Sequence, residues 1–347
     1  MADSFLTPQQ IEELLNVTKE AVTEVPVAGL TLNRQDLQEQ MVIMAPTATP
    51  LRNRMRRMPG NGTAHSFYRL VGNTNTDVAA LGTFFGTTPS GGFFAKGGLP
   101  NNSDASYQYV STPYFNLGDI ANVTFQDVAQ GRSYWNLFAE QIKLRMLNVA
   151  LMEEWAIING NNSTNNLIFD GLKAQIEGGG GQIVPATAGQ LTIALIEQAA
   201  LAVFNAGGVS DTLVLDTKAK AVFNSLVLQL YQVRQIGSAN LGTLAGGFTV
   251  KTWDFGYGDV DIIASRYIDS NQYNATSFAL LLDFQSQDAK NGGNVITMID
   301  VDPLNSIDLA ILATSMRKLV WQTSALEVTA PAFQAEITGL TYSGQSL

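Results

Sequence analysis

The stretch from about Gly131 to Asn159, GRSYWNLFAEQIKLRMLNVALMEEWAIIN, admits one structural reading and constrains the rest. No proline interrupts it. Its interior is built from Leu, Met, Ala, Glu, Gln, Lys and Arg, side chains that lose little freedom in a helix. Ser133 is placed to cap the start, and Asn159-Gly160 offers a left-handed stop. At 1.5 Å per residue the helix spans roughly 40 Å, about the width of a small domain. Trp135, Phe138, Ile142 and Met146 mark one face, and Leu144, Leu147 and Leu151 another. A helix wetted over half its surface carries a single apolar stripe. This one is therefore expected to be covered on two sides, by its own domain and by a neighbour.

Charge is the second constraint. Only 14% of the 347 residues are charged, while 46% are hydrophobic. A chain this long and this apolar buries a substantial core, in one domain with extensions or in two. A surface so poor in charge suits burial against copies of itself, and a merely neutral polar surface is the plainer alternative. The net charge of −10 speaks against general nucleic-acid binding. The charge is also uneven. Arg52, Arg54, Arg56, Arg57 and Arg69 fall in a stretch with no acid between Glu39 and Asp77, whereas Asp254 to Asp308 is dominated by aspartates. Opposed patches of this kind are expected to meet between subunits. There is no cysteine, so disulfides and thiol chemistry are excluded. Neither a signal peptide nor a run of eighteen apolar residues is visible, so no membrane span is expected.

In chain order, Thr7–Thr23 reads as an amphipathic helix with Thr7 as N-cap, Pro8 in the first turn, and Ile11, Leu14 and Leu15 on its apolar face. A lone short helix is marginal, so it is expected to dock on something else. Pro46, Pro50 and Pro59 make the arginine-rich segment an extended strap. Its arginines suit either phosphate contact or ion pairs between subunits. His65–Val71 and Tyr107–Phe115 alternate as strands do. Between them lies a glycine-rich stretch carrying Phe84, Phe85, Phe93 and Phe94, which calls for a long projecting hairpin with its apolar tip on a neighbour. Gly178–Gly181 is a break. Helices over Leu191–Phe204 and from Asp216 to about Leu230, with strands at Thr212–Leu215, Phe248–Trp253, Val260–Ser265, Phe278–Asp283 and Val295–Asp300, then make a mixed α/β domain. Strands after Leu309 are expected to return beneath the long helix.

Catalytic apparatus is not visible. The chain has one histidine, His65, on an expected strand, with no Gly-x-Ser-x-Gly elbow and no phosphate-binding glycine loop. Asp259 and Asp261, with Asp254 or Asp300, have the spacing to hold a hard cation, and a solvated strand face is the competing reading.

The layout resembles the major capsid proteins of tailed double-stranded DNA bacteriophages, with the Hong Kong 97-type fold. The most telling residues are Met152-Glu-Glu-Trp-Ala-Ile-Ile-Asn-Gly-Asn-Asn-Ser and then Phe169-Asp-Gly-Leu172, a run resembling the family's acidic helix end, Asn-Gly and short passage to Gly-Leu. The resemblance implies an α+β fold in five parts. Residues 1–60 would be N-terminal arm and strap, 61–118 the extended β-hairpin or E-loop, and 119–184 a peripheral domain with spine helix 131–159. Residues 185–309 would be a mixed α/β axial domain, and 310–347 the antiparallel strands that complete the peripheral domain.

That resemblance further implies a structural shell subunit and no enzyme, needing no cofactor or metal. It would form pentamers and hexamers of an icosahedral shell around a double-stranded DNA genome. It would lie in the virion, and in the host cytoplasm during assembly, with portal, scaffold or cement proteins as partners and no membrane. Inter-subunit contacts would fall on Phe84, Phe85, Phe93 and Phe94 of the hairpin, on Arg52, Arg54, Arg56 and Arg57 of the strap, and on Ile11, Leu14 and Leu15 of the arm. Some members of the family bond an E-loop lysine to a neighbour's asparagine, which makes Lys96 the crosslink candidate. Two rivals stand beside this reading: an encapsulin-like compartment shell, and a metal-dependent hydrolase built on the Asp254–Asp302 region.

Overall fold

The computed structural model describes residues 48–73, 96–98, 105–131, 136–235, 250–268, 276–285, 294–311 and 313–342. The arm helix (Ile11, Leu14, Leu15) and the hairpin phenylalanines (Phe84, Phe85, Phe93, Phe94) lie outside the described residues, as do Ser133 and Trp135.

The chain enters as a strap, a short helix at Pro50–Arg54 followed by strand β1 (Arg56–Pro59). Strands β2 (Ala64–Asn73) and β3 (Ala105–Pro113) pair antiparallel as a two-stranded ribbon, and β4 (Phe115–Thr124) follows. A helix the sequence reading did not separate, Phe125–Gly131, comes next. Its start is capped reciprocally, with the Thr124 hydroxyl donating to Asp127 (2.6 Å) and accepting from the Asp127 N–H (3.2 Å). The spine helix is Leu137–Asn159, and the side-chain carbonyl of Asn136 caps it by accepting from Ala139 N–H at 3.2 Å.

The expected left-handed stop at Gly160 is not what ends the spine. Gly160 has φ −54°, and its glycine serves a close approach instead. A Cβ there would lie 2.4 Å from the Phe169 carbonyl oxygen, and one on Gly171 would lie 2.6 Å from that of Ala156. Because neither residue has a Cβ, Gly171 N–H reaches the Gly160 carbonyl at 2.9 Å and closes the loop between them.

Beyond the loop come helix Leu172–Gly179, β5 (Gln182–Pro185), helix Ile193–Ala206, β6 (Thr212–Leu215) and helix Thr217–Gln235. Strands β7 (Thr252–Asp254), β8 (Asp259–Ala264), β9 (Ser277–Leu282), β10 (Ile296–Asp308), β11 (Ser315–Val328) and β12 (Ala335–Leu340) complete the described order. A six-stranded sheet runs β5-β12-β9-β6-β8-β7, and a four-stranded sheet runs β1-β10-β11-β4. Strand order crosses the expected boundary near residue 309. Val295–Asp300, read from sequence as part of the α/β domain, belongs to the four-stranded sheet within β10, whereas β12 joins the six-stranded one.

Residues of β9 are buried along its whole length, SFALLL. Ala279 and Leu281, with Leu213 and Leu215 of β6, face a core shared with helices Ile193–Ala206 and Thr217–Gln235. Phe278, Leu280 and Leu282, with Val214, face a second core. That core also takes Ile157 and Ile158 of the spine, Leu51 of the strap, Leu172 and Ile176, and Met298 and Leu326 of the other sheet. Burial on both faces explains the continuous apolar run. β4 and β11 lie beneath the spine, as expected for the returning strands.

Candidate assembly interface and the strap beside it

The spine presents Glu153 and Glu154 to the strap, and both are fully buried. Pro50 leads the strap helix, where its missing N–H costs nothing, but Thr49 supplies no side-chain cap. Glu154 supplies the cap from 103 residues along the chain, accepting from Leu51 N–H (3.0 Å) and Arg52 N–H (2.7 Å). A carboxylate at a helix N-terminus satisfies orphan donors and opposes the dipole. Burial, aided by Glu153, pushes the Glu154 carboxyl above its ordinary range, although these N–H donors pull the other way.

Glu153 is gripped by two arginines, through Arg52 Nε and an Arg57 guanidinium nitrogen. Arg57 also bonds Asp300 of β10 at 2.8 Å. Burial works to lower the Arg57 pKa, yet Glu153 and Asp300 together raise it above its ordinary value. Removing one partner of a buried ion pair typically costs about 3–5 kcal/mol, because the other charge is left uncompensated. Arg54 points the opposite way, to Asp261 of β8 (2.7 Å) and Asp211 (3.8 Å), with its guanidinium over the Phe284 ring. Arg56 is exposed on β1. The basic and acidic stretches therefore do meet, but Arg52, Arg54 and Arg57 meet carboxylates of their own chain.

Other sequence candidates separate. His65 lies 3.2 Å from Glu327, which also accepts from the Thr297 hydroxyl at 3.0 Å, so it sits in a structural polar cluster on the sheet. Of the four aspartates weighed for a cation, Asp261 pairs with Arg54 and Asp300 with Arg57, while Asp254 and Asp259 oppose one another in the β7–β8 register. Among the described residues no group of three or more His, Cys, Asp or Glu is arranged to hold a metal ion. Lys96 is exposed in a turn.

Surfaces the sequence reading did not single out are more revealing. On one face of the β2–β3 ribbon, Tyr68 opposes Tyr109 with ring centroids 5.3 Å apart, and Tyr107 lies two residues along. The three tyrosines are 74%, 58% and 66% exposed for Tyr68, Tyr109 and Tyr107. A two-stranded ribbon is marginal alone, so three exposed rings on it call for a covering surface. The face of the four-stranded sheet away from the spine carries Ile120, Ile307 and Leu319 in register, with Trp321 over Gly118. The Trp321 indole N–H has no hydrogen-bond partner among the described residues. Finally, an apolar groove of about 510 Å³ lies beside the spine, lined by Phe115, Leu117, Leu151, Met152, Trp155 and Leu167 among others. The period-two spacing of Tyr107 and Tyr109 was the available signal for the ribbon face. The groove had none, because it joins residues 115–117 and Tyr267 to the end of the spine and the loop after it.

These surfaces are exposed and largely apolar. The family model described as SU10 major capsid protein matches residues 116–299. The holo-SrpI encapsulin complex from Synechococcus elongatus PCC 7942 is similar with a TM-score of 0.61 at 12% identity, covering 91% of this chain and 95% of that one. The capsid of an empty GTA particle gives 0.60 at 13% identity over 90% and 97%, and the capsid of Myoviridae phage XM1 gives 0.55 at 15% over 88% and 96%. No curated protein matches the sequence.

Proposed function

The chain belongs to the SU10 major capsid protein family and has the Hong Kong 97-type capsid fold, and from that premise we propose how it builds its shell. It is a structural major capsid protein and self-assembles into multimeric shells of a virion. In our reading the shell is icosahedral, made of pentamers and hexamers, and encloses a double-stranded DNA genome. Assembly takes place in the host cytoplasm. Portal, scaffold or cement proteins join the particle, no membrane takes part, and the subunit performs no catalysis.

One observation carries this reading: the apolar area left open on a charge-poor chain. The tyrosine face of the ribbon, the bare face of the four-stranded sheet and the groove beside the spine are three surfaces that a monomer would leave wet. The hairpin with Phe84, Phe85, Phe93 and Phe94, and the arm with Ile11, Leu14 and Leu15, reach neighbouring subunits. Residues 1–60 act as arm and strap and 61–118 as the inter-subunit hairpin. Residues 119–184 with 310–347 form the peripheral part and 185–309 the axial part, with β5 and β12 crossing that division in one direction and β10 in the other. Arg52, Arg54 and Arg57 hold the strap within the subunit, and Arg56 faces outward toward a neighbour.

Electron microscopy of the purified full-length protein tests the proposal. Capsomers or closed shells are the expected result, and a strictly monomeric protein at high concentration under every condition overturns it. An encapsulin-like compartment is the second reading, prompted by the SrpI likeness, which is one of fold. The contents separate the two: nuclease-protected double-stranded DNA from native particles supports the virion, and a protein cargo alone supports the compartment. Lys96 remains the crosslink candidate. A ladder of linked subunits on a denaturing gel of assembled shells supports it, and monomer-sized bands alone reject it.

A further inference from the structure

Two connections carry the chain between the sheets. β9 leaves the six-stranded sheet at Leu282 and β10 enters the four-stranded sheet at Ile296, while β11 leaves at Val328 and β12 returns at Ala335. Among the described residues they meet in two pairings, Gln334 with Asp283 and Thr329 with Val295. The buried Gln334 side chain pairs with the Asp283 backbone like a length of strand, accepting from Asp283 N–H at 2.8 Å and donating to the Asp283 carbonyl at 3.0 Å. Val295 N–H donates to Phe284 at 3.0 Å, and Thr329 N–H donates to Val295 at 2.9 Å, so the crossing is stitched through both connections.

Into this crossing the chain places a carboxyl group that is 1% exposed. Asp283 Oδ2 accepts from Val209 N–H at 3.0 Å, and the Gln285 N–H also lies against the carboxyl, but no hydrogen bond of good geometry reaches the buried Oδ1 among the described residues. It faces Asp211, whose own carboxylate accepts from Phe284 N–H at 3.1 Å. Beyond Asp211 stand Asp261 of β8 and the strap's Arg54. Gln334 and Phe284 add no charge. The described charges at this corner are thus three carboxyl groups and one guanidinium, all drawn from different segments.

We propose that this crossing is a proton-operated latch: with Asp283 protonated the two connections stay clamped through Gln334, and loss of that proton lets the crossing open locally and slackens the tie between the sheets. The inference stands on the geometry of the crossing and does not depend on the shell reading. Opening wets Asp283 and returns it to an ordinary carboxyl, whereas burial in the closed crossing pushes it up to about 7. Between those limits the closed form holds a proton that the open form gives up. Closure is therefore favoured toward acid, and the advantage shrinks as pH rises, until it is gone above about 7. Open and closed forms of one segment, biased by a single titrating group, are all the device needs.

The Val209 and Phe284 amides donate directly to the two carboxylates, so their hydrogen exchange reports the latch. In the full-length protein, exchange corrected for its intrinsic pH dependence should rise up to about tenfold per pH unit from pH 5 and level off near 7, as release of one proton requires. Asp283→Asn should abolish the slope. Arg54→Gln, which removes the countercharge, should move the bend to higher pH, and Asp211→Asn should move it lower. A merely structural role would change overall protection in these variants without displacing the bend in opposite directions. Exchange without a bend, or the same bend in Arg54→Gln and Asp211→Asn as in the wild type, overturns the proposal. The last two variants keep the test decisive where Asp283→Asn fails to fold.

Discussion

The two large sheets of this subunit differ in how completely their own chain covers them. The six-stranded sheet is closed: β6 and β9 are buried on both faces, between two helices on one side and the spine end, strap and second sheet on the other. Among the described residues the four-stranded sheet is less completely covered: the spine lies on one face, and the other carries exposed Ile120 and Ile307 beside half-buried Leu319 and Trp321. On the proposed reading, stability within the subunit is concentrated in the first and capacity for association in the second. A shell subunit needs both, because it must fold before its neighbours arrive and still leave apolar area for them to cover.

Matched truncations break or sharpen this contrast. Glu153→Ala should have the largest effect, about 3–5 kcal/mol in chemical denaturation, since it leaves Arg52 and Arg57 without their shared buried partner. Leu281→Ala, in the closed sheet, should cost about 2–5 kcal/mol by the same measurement. A neutral Leu281→Ala would defeat the idea that the closed sheet carries the fold, and a neutral Glu153→Ala would do the same for the buried tie between the spine and the strap. Glu336→Gln should act in the opposite direction. Both Glu336 oxygens are buried without a hydrogen-bond partner, Lys173 stands 3.9 Å away, and burial pushes the carboxyl up to about 7. Its native-state advantage is complete only below the ordinary glutamate range and is lost as pH rises through about 7. The variant should therefore melt about 2 °C higher at pH 8.5 and gain clearly less at pH 5. Equal shifts at both pH values would show that the charge is not what matters there.

The smallest effect on the subunit should come from the open face. Ile120→Ser should change the stability of the unassembled chain by no more than about 0.5 kcal/mol, as surface substitutions generally do. Its yield of shells in sedimentation should nevertheless fall. Unchanged assembly would mean that this face is not an inter-subunit surface, and the contrast between the sheets would lose its functional meaning.

What was legible in the sequence was local. The spine, the ribbon strands and the helices of the α/β domain announce themselves through period, capping residues and glycines within a few positions of one another. Asp216, where the sequence starts a helix, caps that helix by accepting from Ala219 N–H at 2.8 Å. Sheet membership was not legible, because β10 and β12 are assigned by partners far along the chain. The reading also stopped β10 at Asp300, where the register slips between Asp300 and Asn305 around Pro303, and strand continues to Asp308. Glu153 and Glu154 stood out only as an acidic helix end. Their role depends on a strap about 100 residues earlier, and nothing near them in sequence distinguishes a buried carboxylate pair from a solvated one.

Gly160 and Gly171 bring the two ends of a ten-residue surface loop into direct backbone contact. The loop carries Leu167, 73% exposed at the rim of the groove. With both ends pinned, and with Asn161 and Asp170 tying down its interior N–H groups, the loop holds that side chain at a set height above the spine. In a lattice, small angular errors at one contact accumulate around a ring of subunits. Enlarging either glycine would bring its Cβ to within 2.6 Å of a backbone carbonyl oxygen, so the loop ends would have to part and the loop that carries Leu167 would shift with them.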